Sequence, residues 1–136
     1  ARMRSIDAYN KYDPKIFNHS PNEYILTSHE QNFVQDMLRT FIKNVGKKAI
    51  LTSNGVATLI MLKAIKALGL SYPDEIGIAS FDDWEWMELA DITAIAQPTY
   101  ELGRCCVKRL LQRIEQPDMK TEIGELPCKI IFRKSI

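Results

Sequence analysis

The sequence predicts an α/β fold built on a mostly parallel sheet, and the order of its short apolar runs is the main observation behind this prediction. Three runs of strand length, Ala49–Thr52, Ile76–Ser80 and Thr93–Ala96, are separated or followed by segments with helical spacing. Strands that alternate with helices are typical of parallel sheets, in which helices form the crossover connections. A chain of 136 residues that is 46% apolar can bury one core. A single α/β domain is therefore expected.

The first part of the chain is predicted to contain two helices and one short strand. Arg2–Tyr12 has weak helical character and ends before an Asp-Pro turn, and Glu23–Leu26 has the length of a short strand. Ser28 begins a capping box, because Gln31 can reach back to the cap. A helix is expected from there to about Lys43. Its apolar residues recur at helical spacing: Phe33, Met37, Leu38, Phe41 and Ile42.

A strand–helix–strand unit is predicted next. Ala49–Thr52 is the first strand, and Ser53-Asn54-Gly55 supplies a cap for a helix over Val56–Leu68. A glycine follows that helix in the usual C-terminal position. A Tyr-Pro-Asp turn then leads into the strand Ile76–Ser80.

The last third of the sequence is predicted to hold one strand, one long helix and two terminal strands. The strand is Thr93–Ala96, and the helix runs from Thr99 to about Glu115, where a Gln-Pro-Asp sequence closes it. Glu122–Glu125 and Lys129–Phe132 are the predicted terminal strands. The long helix has an apolar stripe: Leu102, Cys106, Val107, Leu110, Leu111 and Ile114.

The helix over Val56–Leu68 is apolar around most of its circumference. Only Thr58, Lys63 and Lys66 interrupt its apolar sequence. A helix of this kind is normally buried on more than one side. Either it lies between the sheet and another layer of this domain, or it forms part of a subunit interface, and the sequence leaves both explanations open.

Composition and charge exclude several classes of function. A net charge of +1 argues against strong nucleic-acid binding by this chain itself, which needs concentrated positive charge. Of three cysteines, Cys105 and Cys106 are adjacent on a predicted helix, which indicates reduced thiols in a cytoplasmic protein. No apolar run has the length of a membrane span, and no secretory signal opens the sequence. Because the sequence begins at Ala1 without methionine, a fragment or a processed product is expected.

The sequence IGIASFDDWEW, from Ile76 to Trp86, is the strongest indication of a ligand site. An apolar strand ends there in Asp82 and Asp83, with aromatic residues on both sides. In open α/β sheets, ligands bind just beyond the carboxyl ends of the strands. We therefore expect a site for a small polyhydroxy ligand at this edge of the sheet.

Two residues at that edge are predicted to carry the binding. An ionised Asp82 can accept hydrogen bonds from neighbouring sugar hydroxyls; the alternative role, capping the next turn, fits Asp83 better. Asn54 ends the preceding strand at the same edge, and its amide both donates and accepts. Helix capping by Asn54 is compatible with ligand contact. No metal-ligand spacing is present, and no metal or other cofactor is expected.

Four sequence blocks occur in order from Ala49 to the end of the sequence. They are AILTSNGVATLIMLKAIKALGL, PDEIGIASFDD, ITAIAQPTYELG and IIFRKS, and they begin at Ala49, Pro73, Ile92 and Ile130. Together they resemble the carboxyl-terminal part of the effector-binding region of a LacI/GalR-family transcription regulator. The resemblance implies a parallel-sheet sandwich, one lobe of a type I periplasmic-binding-protein-like fold.

Two positions near the predicted site depart from the family pattern. Gly55 stands where the family usually has Asp, and Ser80 stands where it usually has Gly. The family's DNA-binding helix-turn-helix, its hinge and most of its amino-terminal lobe are absent from residues 1–136. The resemblance therefore implies that residues 1–136 form a single carboxyl-terminal lobe with one wall of the effector cleft.

Three further residues belong to the predicted effector site, and the resemblance supplies two of them, Arg4 and Gln97. Arg4 matches the arginine of the family's Arg-x-x-Gly-aromatic motif, and its bidentate fork suits a carboxylate or phosphate; a solvated surface arginine is the other interpretation. Trp84 offers an apolar face to a sugar ring or packs against the core. Gln97 ends the strand Thr93–Ala96 in the family's crossover between lobes. The predicted effector-binding residues are Asp82, Asn54, Arg4, Trp84 and Gln97.

The function implied by the resemblance is that of a sensor rather than an enzyme. The expected protein is the effector-sensing part of a bacterial sugar- or sugar-acid-responsive regulator, a cytoplasmic homodimer with Leu59 and Leu62 at the dimer interface. DNA would be bound through the absent amino-terminal domain, without contact to a membrane. A periplasmic sugar-binding protein is the alternative. Catalysis by Asp82 and Asp83 is disfavoured, because adjacent carboxylates usually diverge and no nucleophile–His pair accompanies them.

Overall fold

Helices and strands alternate through the part of the protein that the structure describes. The computed structural model describes residues 31–43, 46 and 48–136. The elements in sequence order are α1 (Gln31–Ile42), β1 (Ala49–Thr52), α2 (Gly55–Ala67), β2 (Gly77–Phe81), α3 (Glu85–Leu89), β3 (Thr93–Ala96), α4 (Thr99–Glu115) and β4 (Lys129–Ile131). The helix predicted at 2–12, the strand predicted at 23–26, the capping serine at position 28 and Arg4 lie outside the described residues.

The described strands form one sheet in the order β1-β2-β3-β4. β1, β2 and β3 are parallel, with Thr52 opposite Ser80 and Ser80 opposite Ala94, whereas β4 is antiparallel to β3. The predicted α/β class with a mostly parallel sheet is confirmed. Because β1, β2 and β3 run in the same direction, their carboxyl ends lie at one edge of the sheet.

The helix α2 packs against the strands β1 and β2 and also against α1. Val34 and Leu38 of α1 and Ile65 of α2 are buried in the core that these elements share. Of the two explanations for the apolar circumference of α2, burial within the same domain accounts for the sides that face the sheet and α1. Val56 and Leu59 are 51% and 44% exposed, so another side of α2 is uncovered by the described residues.

The helix α4 presents its predicted apolar stripe to solvent. Five residues of the stripe are between 47% and 66% exposed: Leu102, Val107, Leu110, Leu111 and Ile114. None of the 17 residues of α4 is buried by the part of the protein that the structure describes. Among these same residues, no helix is both long enough and apolar enough to span a membrane.

The structure corrects the predicted elements at two places. Glu122–Glu125 does not form a strand. Ile123, the apolar residue of this segment, is 78% exposed, and Glu122 pairs at 3.2 Å with Arg109 of α4. The segment has no apolar face to bury, which explains why it joins no sheet. The short helix α3 was not predicted, because five residues are too few to show helical periodicity.

The carboxyl-terminal tail is fastened to the sheet by the buried Ser135. Its Oγ donates to the carbonyl of Ile78 at 2.5 Å and accepts the backbone N–H of Thr93 at 2.8 Å. Its own carbonyl accepts the N–H of Ile78 at 2.8 Å. One residue therefore links β2, the start of β3 and the tail.

Ser135→Ala is expected to destabilise the protein by about 2 kcal/mol, because it leaves a buried N–H without a partner. Urea unfolding of the two proteins would measure the change in the free energy of unfolding. Ser53→Ala is the matched control, since Ser53 is exposed. Equal unfolding midpoints for the Ser135 variant and the unmodified protein would contradict the proposed fastening.

Candidate functional site

The residues that follow β1, β2 and β3 lie at one edge of the sheet. β1 ends at Thr52 and is followed within two residues by Asn54, β2 is followed by Asp82, and β3 is followed by Gln97. The parallel register brings these three polar side chains to the same edge, as the sequence predicted for Asp82 and Asn54. This edge is the candidate site.

Asp82 occupies a left-handed backbone conformation, with φ of 66°. Asp tolerates this conformation better than most non-glycine residues. The backbone N–H of Asp82 donates to the carbonyl of Ile95 at 3.1 Å, and its Oδ1 accepts a hydrogen bond from Nε2 of Gln97. Both bonds join the end of β2 to the end of β3, so the Asp82 carboxylate is held in place before any ligand arrives.

Asp83 is engaged differently from its neighbour. Its two carboxylate oxygens accept hydrogen bonds from Nη1 and Nη2 of Arg133 at 2.7 and 3.0 Å. Nη1 of Arg133 also donates to the carbonyl of Ile92 at 2.7 Å. The hydrogen bond from Arg133 to Asp83 is the main cause that raises the pKa of the Arg133 guanidinium, and burial opposes it. Asp83 therefore anchors the loop after β2 to the carboxyl-terminal tail. Asp82 does not take part in this ion pair, and it lines the candidate site.

Asn54 caps the helix α2. Its Oδ1 accepts the backbone N–H of Ala57 at 2.9 Å, and its backbone is extended, as expected of an N-cap. Within the described part of the protein, the amide nitrogen of Asn54 makes no hydrogen bond. The capping role and the predicted ligand role use different atoms of one side chain, so both fit this position.

Three buried hydroxyls lie beneath the loops that carry Asn54 and Asp82. Oγ1 of Thr58 is 2.6 Å from Oγ1 of Thr52 and 2.6 Å from Oγ of Ser80. Thr58 also donates to the carbonyl of Asn54 at 2.8 Å. This hydroxyl cluster ties β1, β2 and the first turn of α2 together. Ser80 is a member of this hydroxyl cluster, and it stands where the family usually has Gly. The sequence had not predicted this role.

Trp84 lies against the first residue of α2. A Cβ atom built on Gly55 would be 2.8 Å from both Cε2 and Nε1 of the indole and 2.9 Å from Cδ2. Gly55 is buried, whereas Trp84 is 48% exposed. The indole of Trp84 therefore lies against the start of α2, not in the core cluster, and part of its surface is exposed to solvent.

Two open depressions of about 430 and 440 Å³ border Trp84. The first is lined by Asp82, Asp83, Trp84, Ala96, Gln97 and Thr99, and the second by Asp83, Trp84, Glu85 and Trp86. The first depression brings together three predicted site residues, and Asn54 does not line it. Both depressions are open to solvent.

The charges at this edge are mostly negative. Asp82, Asp83 and Glu85 carry carboxylates that border the depressions, and Arg133 is held by Asp83. Arg4, the predicted partner of an anionic ligand, lies outside the described residues. The described residues contain no group of three or more metal-binding side chains. The site as described is suited to accept hydrogen bonds from hydroxyl groups.

Residues 4–136 match the family model described as a periplasmic binding protein-like domain. The sequence is 45% identical over 103 residues to the HTH-type transcriptional regulator KdgR of Bacillus subtilis, covering 73% of this chain and 30% of that protein. It is 39% identical over 108 residues to the HTH-type transcriptional regulator PtxS of Pseudomonas aeruginosa, covering 76% and 32% respectively. The matched residues therefore span about a third of the length of these relatives.

A solved structure has the same fold. It is a LacI family transcriptional regulator from Enterococcus faecium with bound ribose, and it superposes with a TM-score of 0.65 at 24% sequence identity. The superposition covers 77% of this chain and 40% of that one. The fold predicted from the four sequence blocks is thus found in a solved regulator structure.

Proposed function

Because the chain belongs to the periplasmic binding protein-like family, as part of the effector-binding region of a LacI/GalR-type regulator, we propose that it senses a sugar or sugar acid and thereby controls DNA binding. The observation that carries the proposal is the Asp82 carboxylate, fixed by Gln97 at the carboxyl edge of a parallel sheet. A preordered carboxylate accepts two ligand hydroxyls without first having to be ordered itself. Trp84 offers an apolar surface beside it, and Asn54 offers a donor at the same edge of the sheet.

Such a lobe would act through the closure of two lobes around a bound ligand. The depression beside Asp82 is open to solvent, and the stripe of α4 is exposed just beyond Gln97. Exposed apolar surface of this extent marks an interaction site. A second lobe that covers α4 and closes over the depression accounts for both features, and residues 1–136 are then one lobe. A ligand that contacts both lobes favours the closed state and shifts the population toward it.

The proposed regulator is a cytoplasmic homodimer that binds DNA through a helix-turn-helix outside residues 1–136. Both curated relatives are named HTH-type transcriptional regulators, and they extend well beyond the matched region. Leu59 is 44% exposed on α2, and Leu62 is half-buried beside it on the same helix. These two residues form the proposed dimer contact. The relatives favour this function over a periplasmic transport protein and over an enzyme.

A thermal-shift screen of sugars and sugar acids on the full-length protein tests the proposal. A stabilising compound is expected, and the same compound should change the affinity of the protein for its operator DNA. Stabilisation without any effect on DNA binding would favour the transport alternative. No stabilisation by any member of the panel would contradict the proposed effector class.

Arg4 is the proposed partner of a sugar-acid carboxylate. Arg4→Gln is expected to weaken binding of D-gluconate or 2-keto-3-deoxy-D-gluconate about 10- to 100-fold and to leave D-ribose binding unchanged, because only the acids carry an anion for the guanidinium. Isothermal titration of the full-length protein with each compound would measure this. Arg2→Gln, two residues away, is the control. A loss of affinity that is equal for acids and neutral sugars would contradict the charge pairing.

A further inference from the structure

The contact between Gly55 and Trp84 distinguishes the two faces of an aromatic ring at the candidate site. Cε2 is a ring-fusion atom of the indole, bonded within the ring plane to three ring atoms, so no in-plane direction around it is open. A Cβ atom on Gly55 would lie at nearly equal distances of 2.8, 2.8 and 2.9 Å from Cε2, Nε1 and Cδ2. That Cβ atom would therefore contact the face of the indole and not its edge.

This geometry assigns different surroundings to the two faces of the Trp84 indole. One face lies on Gly55 at the start of α2. The side chain is 48% exposed and lines the depression that also holds Asp82 and Gln97. The opposite face is therefore the surface that a bound molecule can contact. No side chain larger than hydrogen fits at position 55 while the indole stays where it is.

We propose that Gly55 is a specificity-determining residue, which lets the Trp84 indole lie flat as a platform for a ligand that has a closed sugar ring. A ring with an apolar C–H face can cover the platform while its hydroxyls reach the Asp82 carboxylate. An acyclic polyol has no rigid face to lay on the indole and gains less from it. The inference rests on the proposed function and deepens it, since it names the ring form of the effector.

Substitution of Gly55 by Ala isolates this role. The φ angle of Gly55 lies outside the left-handed region, so Ala is allowed at the backbone, and Ala favours helix more than Gly does. The methyl group would stand less than 3 Å from three indole atoms, so the ring must move. Gly103→Ala is the matched control, because Gly103 is also helical and a Cβ there would meet no atom within 4 Å.

The first measurement needs no ligand. In full-length protein labelled with 5-fluorotryptophan, the ¹⁹F resonance of Trp84 is identified by its absence in Trp84→Phe. Gly55→Ala is expected to shift this resonance, and Gly103→Ala is expected to leave it in place. An unshifted resonance in Gly55→Ala would overturn the assigned contact whatever the ligand results are.

The second measurement compares two acids that differ in ring closure. Gly55→Ala is expected to weaken binding of 2-keto-3-deoxy-D-gluconate, which closes to a ring, about tenfold relative to the acyclic D-gluconate. In a Trp84→Leu background the same substitution should have no further effect, because the platform is already gone. Equal loss for both acids, or a full effect of Gly55→Ala without Trp84, would overturn the inference.

The two proposals can fail separately. If the unmodified protein binds the ring acid and Gly55→Ala binds both acids as before, the platform is wrong and the sensing function stands. If the unmodified protein binds neither these acids nor neutral sugars, the sensing function fails, and the platform fails with it.

Discussion

Asp82→Asn is expected to reduce the affinity of the full-length protein for its sugar or sugar-acid effector about 100-fold. The carboxylate would accept hydrogen bonds from two ligand hydroxyls, and hydrogen bonds to a charged group contribute about 1.5–3 kcal/mol each. Asn keeps the volume of the side chain but replaces one acceptor oxygen with a donor. Isothermal titration with the strongest compound from the thermal-shift screen would measure the loss.

The backbone conformation of Asp82 decides which substitution is informative. Its φ of 66° is one that Asn adopts readily, whereas Ala there would add strain of about 1–2 kcal/mol. Asp91, with φ of 52°, is a second Asp in the same backbone region and lies just after α3. Asp91→Asn is therefore the matched control. Unchanged affinity in Asp82→Asn, or an equal loss in both variants, would place the effector site elsewhere.

The sequence was sufficient to predict the parallel part of the sheet. The runs at Ala49–Thr52 and Thr93–Ala96 are strands with the predicted bounds, and the helix after Pro98 ends at Glu115 as predicted. These elements have strong local signals, namely apolar runs of strand length, a Gly or Pro at the boundary and an apolar stripe. The strand predicted at Glu122–Glu125 was wrong, because a pattern over four residues cannot show whether a neighbouring strand exists to pair with it.

Only the part of the site that follows from the sheet topology could be predicted from the sequence. Knowing that β1, β2 and β3 are parallel is enough to bring Asn54, Asp82 and Gln97 to one edge. Contacts that depend on side-chain packing were not predictable in this way. The contact of Gly55 with Trp84 is one example, since it joins residues 29 positions apart through an indole face that no local pattern describes.

Arg133, like Ser80, is a neighbour of the site that sequence reasoning missed. It belongs to the sequence block IIFRKS, and no local pattern there assigns it a role. The residue lies 50 positions after Asp83, and only the antiparallel placement of β4 beside β3 brings the two together. A prediction of that placement would have been needed before the charge pair could be recognised.

Arg133→Met is expected to lower the free energy of unfolding by about 3 kcal/mol, because it removes one partner of a mostly buried charge pair. The Arg133 and Asp83 side chains are only 14% and 19% exposed. The substitution leaves the Asp83 carboxylate without its two hydrogen bonds and removes a third from the Ile92 carbonyl. Urea unfolding would measure the change, and Lys134→Met is the control.

Arg133 and Lys134 are both cations of the carboxyl-terminal tail, and each pairs with an aspartate. The control therefore separates the effect of burial from the effect of charge. Lys134 bonds Asp91 at 2.9 Å, but its side chain is 82% exposed, so its loss is expected to cost less than about 0.5 kcal/mol. Adding Asp83→Leu to Arg133→Met removes the stranded carboxylate and is expected to recover most of the lost stability. If Arg133→Met destabilises the protein as little as the control is expected to, the buried pair does not stabilise the tail. Failure of the double variant to recover would mean that Arg133 acts through packing and not through Asp83.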